Sequence, residues 1–568
     1  MPVLDWIGKQ AVVKHHRDVP YRLLEPVPGL SCGDADSGNL IVQGDNLLAL
    51  KALLPRYAGQ VKCIYIDPPY NTGNEGWAYN DNVNSPEIRK WLGEVVGKDG
   101  ETLDRHDRWL CMMYPRLVLL RQFLREDGVI FVSIDDNEVH HLRSVLDEVG
   151  GFKFVGCVVW ERKRKGSHLS KKLTKKTEYI VVCSRRSNDI ELVGDDVGED
   201  EDFPLVKRTN GVKDLHIPVD KLGPTGLPDG VYPRGQYGRG GTAVELVHDA
   251  AVVDGRFTSD VYLRGPFVWT QENLDRELAS GGRCFLRTKN MSLRAVKGSD
   301  NQGQKGLSSL LTKEVGTNED ASSELAEILS VDLNSVFQYS KPCGLVKTLV
   351  RAATFSDPDA LVLDSFAGSG TTGHAVLKQN AEDGGNRRFI LAELDPKIAR
   401  NVTAERVKRV AQGYTNAKGE TVEGLGGGFQ FCKLSDEPLF TAEGQVRDDV
   451  TFAQLAEFVW FVETGAGYPN PHPNPSHPQG DSLGVAGGRG ARSPLLGVHE
   501  GRAVYLLYNG ILKDKSVAGG NVLTAAVLDV LPPFDGPRVI YAAACRLGAP
   551  RLAREGIVFK QTPYALEG

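Results

Sequence analysis

Residues 61–73 read VKCIYIDPPYNTG. The first six form an almost unbroken apolar run, the pattern of a strand covered on both faces. The run ends in an acid, two prolines and a tyrosine. Proline donates no backbone hydrogen bond and is excluded from a central strand. The chain therefore leaves a sheet at Asp67 and holds a rigid shape there. Just upstream, LIVQGDNLLALKALL (40–54) reads as a short strand, a turn at Gly44-Asp45-Asn46 and a helix. Downstream, Leu110, Met113, Leu117, Leu120 and Leu124 recur at three- and four-residue spacing, an amphipathic helix over 107–126 that Gly128 stops. GVIFVSID (128–135) is the next buried strand, 137–149 is helical again, and FVGCVVW (154–160) and EYIVVCS (178–184) are further strands. Strand–helix–strand rhythm of this kind predicts a doubly wound α/β sheet.

The rhythm stops near residue 190. Acidic GDDVGEDED (194–202) and Gly/Pro-rich GPTGLPDGVYPRGQYGRGG (223–241) are followed by short strand-like pieces, and we read an inserted domain over 190–330. The rhythm returns with the helix LVKTLVRAAT (345–354) and the strand ALVLDSF (360–366). A Gly turn, the helix TTGHAVLKQN (371–380), the strand RRFILAEL (387–394) and the helix at 395–413 follow. The α/β domain is thus expected in two halves, 37–189 and 331–412, after an N-terminal arm at 1–36. A third, α+β unit at 413–568 holds a helix (450–464), β-like runs (502–509, 537–544) and a Pro/Gly-rich loop (468–493). His472 and His477 lie in that loop and read as loop residues rather than ligands.

Composition bounds the class. At 568 residues the length suits three or four domains, and 41% apolar with 25% charged residues is that of an ordinary globular protein. No membrane span and no signal peptide are read. The nine cysteines are scattered without CxxC pairs, so reduced cytoplasmic thiols and no metal site are expected. A net charge of −6 argues against indiscriminate nucleic-acid binding, but ERKRKGSHLSKKLTKK (161–176) carries eight Lys/Arg against one Glu. That strip is a solvated loop or a contact for a phosphate backbone through Arg162, Lys163, Arg164, Lys165, Lys171, Lys172, Lys175 and Lys176.

A second motif, DSFAGSGTT (364–372), lies between a buried strand and a helix. A Gly-rich strand-to-helix turn lets a ligand approach the backbone closely. It has no GK[ST], so it is not a P-loop, and it lacks the third Gly of a dinucleotide fingerprint. The following strand ends in Glu393, an acid placed to take both hydroxyls of a ribose. The ligand is then a nucleoside-like cofactor not bound through a pyrophosphate.

FAGSGTT together with DPPY resembles the S-adenosylmethionine-dependent amino-methyltransferases of DNA. DPPY preceding the Gly-rich motif, with a domain between, is similar to the β class, a circular permutation of the methyltransferase sheet. YIDPPYNTGNEGWAYNDN, DGVIFVSIDDNE and the terminal FKQTPYALEG resemble the modification subunit of Type III restriction–modification systems. The resemblance covers nearly the whole chain, tightly over 38–183 and 337–412 and loosely over 190–330. It implies a Rossmann-like methyltransferase sheet with an inserted target-recognition domain and adenine-N6 methylation of flipped-out bases in double-stranded DNA. It also implies a C-terminal dimerisation region and a separate helicase-nuclease partner. Asp67 and the Pro68 carbonyl would accept the two hydrogens of the target amine, Pro69 would help fix the loop, and Tyr70 would stack on the base. Phe366, Gly368, Gly370 and Thr371 would line the methionine end of the cofactor, and Ser340-Lys341-Pro342 matches the start of the helix covering it. Glu393 would hold the ribose and Asp45 the adenine. Asp45 has a helix N-cap as its alternative, and Asp364 is a cofactor contact or a structural residue of the turn. His374 reads as packed rather than as a base. Trp77 and Tyr79 belong to the pocket mouth or anchor their loop. A solitary methyltransferase, N4-cytosine methylation and a binding module without catalysis stay as alternatives. The lack of a Walker A motif excludes ATP-driven translocation from this chain.

Overall fold

The computed structural model describes residues 4–34, 37–72, 101–165, 173–185, 190–194, 202–298, 305–332, 337, 339–416, 418–469, 493–508 and 521–566 (backbone only at 101–104 and 565). The chain forms two compact units, 1–192 with 308–568, and 193–307. The sheet of the first unit has ten strands, in the order β1-β10-β2-β9-β8-β3-β4-β6-β5-β7. These are β1 (Arg22–Pro26), β2 (Leu40–Gln43), β3 (Val61–Ile66), β4 (Leu124–Ile134), β5 (Lys153–Glu161), β6 (Thr177–Ser184), β7 (Leu310–Leu311), β8 (Leu361–Asp364), β9 (Arg388–Glu393) and β10 (Gln430–Pro438). The six strands from β10 to β4 run parallel, β6 enters antiparallel beside β4, and β5 pairs antiparallel with β6.

This is a doubly wound α/β sheet. Its central strands VKCIYI and LVLD are buried at every position. Side chains such as Ile64, Ile66 and Leu363 join one core with α1 (Asn46–Tyr57), α2 (Glu101–Phe123) and α3 (Val139–Val149). On the other face, Phe389 and Leu391 approach Gly373 of α6 (Thr371–Asp383) and Val407 of α7 (Ala404–Gln412). The helix α5 (Cys343–Thr354) packs along α6 and behind β3 and β4. Covering both faces explains why these strands read as apolar runs rather than alternations.

Three boundaries differ from those expected. The arm at 1–36 supplies β1 at the sheet edge, and earlier in the arm Trp6 packs on α2 with its Nε1 3.2 Å from Cys111 Sγ. Residues 430–438, assigned to a third unit from 413 on, form β10 in the main sheet, parallel to β2. The inserted stretch is 193–307 rather than 190–330, because β7 pairs with β5 and α4 (Asn318–Leu329) packs against α7. Beyond β10, α8 (Phe452–Thr464) packs on a four-stranded sheet, β11 (Leu495–His499), β12 (Arg502–Leu506), β13 (Arg538–Ala542) and β14 (Ile557–Gln561). It also meets α1 through an Arg56–Glu457 ion pair at 2.7 Å.

The 193–307 unit is antiparallel. Strands 213–217, 235–237, 244–246 and 261–265 form one sheet, and two three-stranded sheets and the helix Gln271–Ala279 complete it around Leu215, Leu263, Phe267 and Leu286. No helix among the described residues is long and apolar enough to cross a membrane.

Candidate active site

β3 and β8 are parallel neighbours at the centre of the sheet. From β8 the chain winds through α6 to β9 on one side, and from β3 it proceeds toward β4 on the other. Loops that leave adjacent strands in opposite directions open a crevice at their carboxyl ends, the usual ligand position in such sheets. The DPPY and FAGSG loops therefore meet there, although about 300 residues separate them in the chain.

The DPPY loop is held from several sides. Trp109 Nε1 donates to the Pro69 carbonyl at 2.7 Å, while the Pro68 carbonyl accepts no hydrogen bond from the described residues. Asn71 adopts a left-handed backbone (φ 58°) and its amide donates to the Arg105 carbonyl at 3.2 Å and to Glu138. Glu138 is fully buried and pairs with His106 Nδ1 at 2.5 Å and His141 Nδ1 at 2.8 Å. A buried carboxylate so paired anchors the loop from behind.

Asp67 Oδ2 takes the Lys341 ammonium at 2.6 Å. The same nitrogen lies 4.9 Å from the centre of the Tyr70 ring and 3.9 Å from Glu178 Oε2. Tyr70 donates its hydroxyl to Glu178 Oε2 at 3.2 Å, and Arg162 donates to Glu178 Oε1 at 2.8 Å. Burial pushes Glu178 above its ordinary value and Tyr70 well above its own. Burial alone would lower Lys341, but Asp67 and Glu178 outweigh it and raise the ammonium's pKa. Lys341 was expected at the cofactor; its ammonium sits on Asp67. Glu178 and Trp109 are the site residues that sequence reasoning missed. Glu178 is the second residue of β6, and only the antiparallel insertion of β6 beside β4 brings it here.

On the other side of the crevice, Gly368 and Gly370 are left-handed (φ 49° and 76°). A Cβ on Gly370 would lie 3.0 Å from the Thr403 carbonyl, so the turn must be glycine to pack there. Glu393 Oε2 accepts from Gly368 N at 2.8 Å and Oε1 from Asp395 N at 3.0 Å. Thr371 donates its hydroxyl to the Lys341 carbonyl at 3.1 Å, and buried Arg406 donates to Thr371 at 2.7 Å and Ser369 at 3.2 Å. This network ties the Gly-rich turn to the Lys341 backbone. His374 is buried against Arg406, and burial first, then that charge, holds it well below its usual value.

Two expected contacts have structural duties here. Asp45 caps α1, accepting from Leu47 N at 2.9 Å and Leu48 N at 3.2 Å, its alternative reading. Asp364 Oδ1 accepts from Phe366 N at 2.9 Å and Oδ2 from Thr372 Oγ1 at 2.5 Å, so both oxygens hold the turn. Burial pushes its carboxyl up to about 7, against the pull of these bonds. Its folded value exceeds the unfolded one, so the associated stability is present below about pH 4 and is lost as pH rises to about 7. The unfolding free energy is expected to fall less steeply from pH 4 to 8 in Asp364→Asn than in wild type, by on the order of a few kcal/mol across that range, as chemical denaturation at each pH would show. Parallel profiles would show Asp364 ionised throughout.

The basic strip is only partly as expected. Arg162 turns inward to Glu178, Arg164 pairs with Asp320 at 2.9 Å, and Lys175 pairs with Asp136 at 2.6 Å. Lys163, Lys165 and Lys176 have no ion pair among the described residues. Lys171, Lys172, Trp77, Tyr79, His472 and His477 lie outside the described residues.

Comparison with known proteins completes the site. A family model described as DNA methylase (N6_N4_Mtase) matches residues 61–405. The StyLTI Mod subunit of a Type III restriction-modification enzyme from Salmonella typhimurium is 30% identical over 71% of this chain and 60% of its own length. The EcoPI Mod subunit from Escherichia phage P1 is 32% identical over 71% of this chain and 65% of its own. The Type II methyltransferase M.KpnI of Klebsiella pneumoniae is 26% identical over 70% of this chain and 94% of its own. The chain thus spans less than two thirds of the length of the Type III subunits it matches.

Proposed function

The chain belongs to the DNA methylase family, and from that premise we propose that it methylates the N6 amine of adenine at a specific site in double-stranded DNA. It does so as the modification and specificity subunit of a Type III restriction–modification system. The carrying observation is the pairing of Asp67-Pro68-Pro69-Tyr70 with the FAGSG turn and Glu393 across one crevice. The crevice suits S-adenosylmethionine. A Cβ built on Gly368 meets nothing nearer than the Phe337 ring at 3.7 Å, which leaves a cradle against the backbone, and Glu393 stands at the adjacent strand end. Phe366, Gly368 and Gly370 would hold its methionine end, Glu393 its ribose, and the α1 end at Asp45 its adenine. When bound, this cofactor supplies an electrophilic methyl group on a sulfonium.

The chain's residues do the rest. Adenine's exocyclic nitrogen is a poor nucleophile because its lone pair is delocalised into the ring. Asp67 and the Pro68 carbonyl accept its two hydrogens and return electron density to nitrogen. The prolines fix that carbonyl at little entropic cost. Tyr70, oriented by Glu178, stacks on the extruded base. Positive charge that develops on nitrogen is met by Asp67, and the surplus proton leaves from there to water.

The 193–307 unit would read the target sequence, and 413–568 would carry a homodimer contact and the docking face for a separate helicase-nuclease subunit, in the cytoplasm. A methyltransferase that works without a Type III partner subunit is the second reading, supported by the match to 94% of the length of M.KpnI, a Type II methyltransferase. Expression in a methylation-free host, with modified bases mapped by single-molecule sequencing, tests the function. N6-methyladenine on one strand of an asymmetric motif is the expected result. N4-methylcytosine would overturn the base assignment, and no modification would overturn the activity.

Lys163, Lys165 and Lys176 are the strip residues proposed to touch phosphate. Neutralising all three is expected to lower the slope of log affinity against log salt by up to about 3. An unchanged slope, measured by fluorescence anisotropy, would return them to a solvated surface.

A further inference from the structure

Two carboxylates flank the Lys341 ammonium, half-buried Asp67 and buried Glu178, and only Asp67 touches the amine in the transfer described above. Asp67 Oδ1 is buried without a hydrogen-bond partner among the described residues, and Oδ2 carries Lys341. The ammonium lies 2.6 Å from the acid and 4.9 Å from the Tyr70 ring centre, so it fills the space the target amine needs. Glu178, 3% exposed, waits 3.9 Å from the same nitrogen. We propose that Glu178 is a positioning residue for methyl transfer: the entering amine displaces Lys341 from Asp67, and Glu178 receives the ammonium. This rests on the methyltransferase reading above.

Charge balance requires a receiver. Asp67, Glu178, Lys341 and Arg162 sum to zero net charge, and a neutral amine on Asp67 would leave a buried ammonium unpaired. Closing the 3.9 Å gap to a charge-assisted hydrogen bond takes a shift of only about 1 Å. The Lys341 backbone need not move, because Thr371 and Arg406 hold it. Asp364 cannot take the charge, since both its oxygens are engaged in the turn. Tyr70 bonds the same Glu178 oxygen, so one acid orients the stacking ring and stores the displaced cation.

The test compares wild type, Glu178→Gln, Lys341→Met and the double variant in single-turnover methylation of DNA bearing the mapped site. DNA and cofactor dissociation constants are measured alongside. Glu178→Gln is expected to slow transfer by about 10- to 100-fold with both dissociation constants within about 2-fold of wild type. Lys341→Met is expected to lose less, and adding Glu178→Gln to it to cost no more than about 2-fold. Glu178→Asp, which keeps the charge, is expected to recover part of the rate. Equal losses from Glu178→Gln in both backgrounds would overturn the proposal, as would full activity of Glu178→Gln or none in Lys341→Met. A wild type that transfers no methyl group overturns the methyltransferase reading and this with it; one that transfers without coupling overturns this alone.

Discussion

Asp67→Ala is expected to lower the single-turnover rate of methyl transfer by about 1,000-fold or more while cofactor and DNA dissociation constants change little. The reasoning is electrostatic. Among the described residues, Asp67 is the carboxylate at the mouth of β3 beside the Pro68 carbonyl, so it can accept from the amine together with that carbonyl and is the group that meets the charge that grows there. Alanine also strips Lys341 of its 2.6 Å partner and leaves Glu178 at 3.9 Å as its nearest acid. Some stability will be lost, which makes Asp67→Asn the necessary companion. Asparagine keeps the shape but offers Lys341 and the amine a neutral oxygen, and it is expected to be nearly as slow. Activity within about tenfold of wild type in Asp67→Asn would remove the acceptor role from this residue.

The second large effect concerns the cofactor. Glu393→Ala is expected to weaken S-adenosylmethionine binding by on the order of 100-fold, measured by calorimetry. Glu393 does two jobs from one position. Its oxygens anchor the Gly368 and Asp395 amides, and its place at the end of β9 would put it against the ribose of the proposed cofactor. Glu393→Gln keeps one oxygen for an amide and is expected to fall between wild type and alanine. If both variants melted lower yet bound the cofactor as wild type does, the carboxylate would be an anchor only.

The sheet and its two loops were legible because strands covered on both faces carry unbroken apolar runs, and because VKCIYI and LVLD each end in residues a strand cannot hold. The edges were not. β1 (RLLEP) contains a proline and is half-buried, and β10 carries its own polar tail, so neither shows a period. Their place comes from pairing across the ends of the chain, which local pattern does not encode. Within the candidate site, Asp67, Tyr70 and Glu393 could be nominated because each sits beside a distinctive neighbour. Glu178 lies in a plain strand, and Lys341 precedes a plain helix. Their roles arise from which strands lie side by side. The pairing within the basic strip was hidden for a related reason: charge density was visible, but the acids that pair with Arg162, Arg164 and Lys175 come from distant segments.

The ends of the 193–307 unit meet in one antiparallel bridge, Val193 with Gly306, and Gly194 N donates to Lys305 O at 2.6 Å. Entry and exit are thus a hydrogen bond apart. Insertions whose ends lie close together are the kind a host fold tolerates. Two recombination crossovers, one near 193 and one near 306, would swap the whole unit as a cassette without cutting a strand of the ten-stranded sheet. With the reading role proposed for this unit, a lineage of such chains could change its target in a single genetic step while inheriting its chemistry intact.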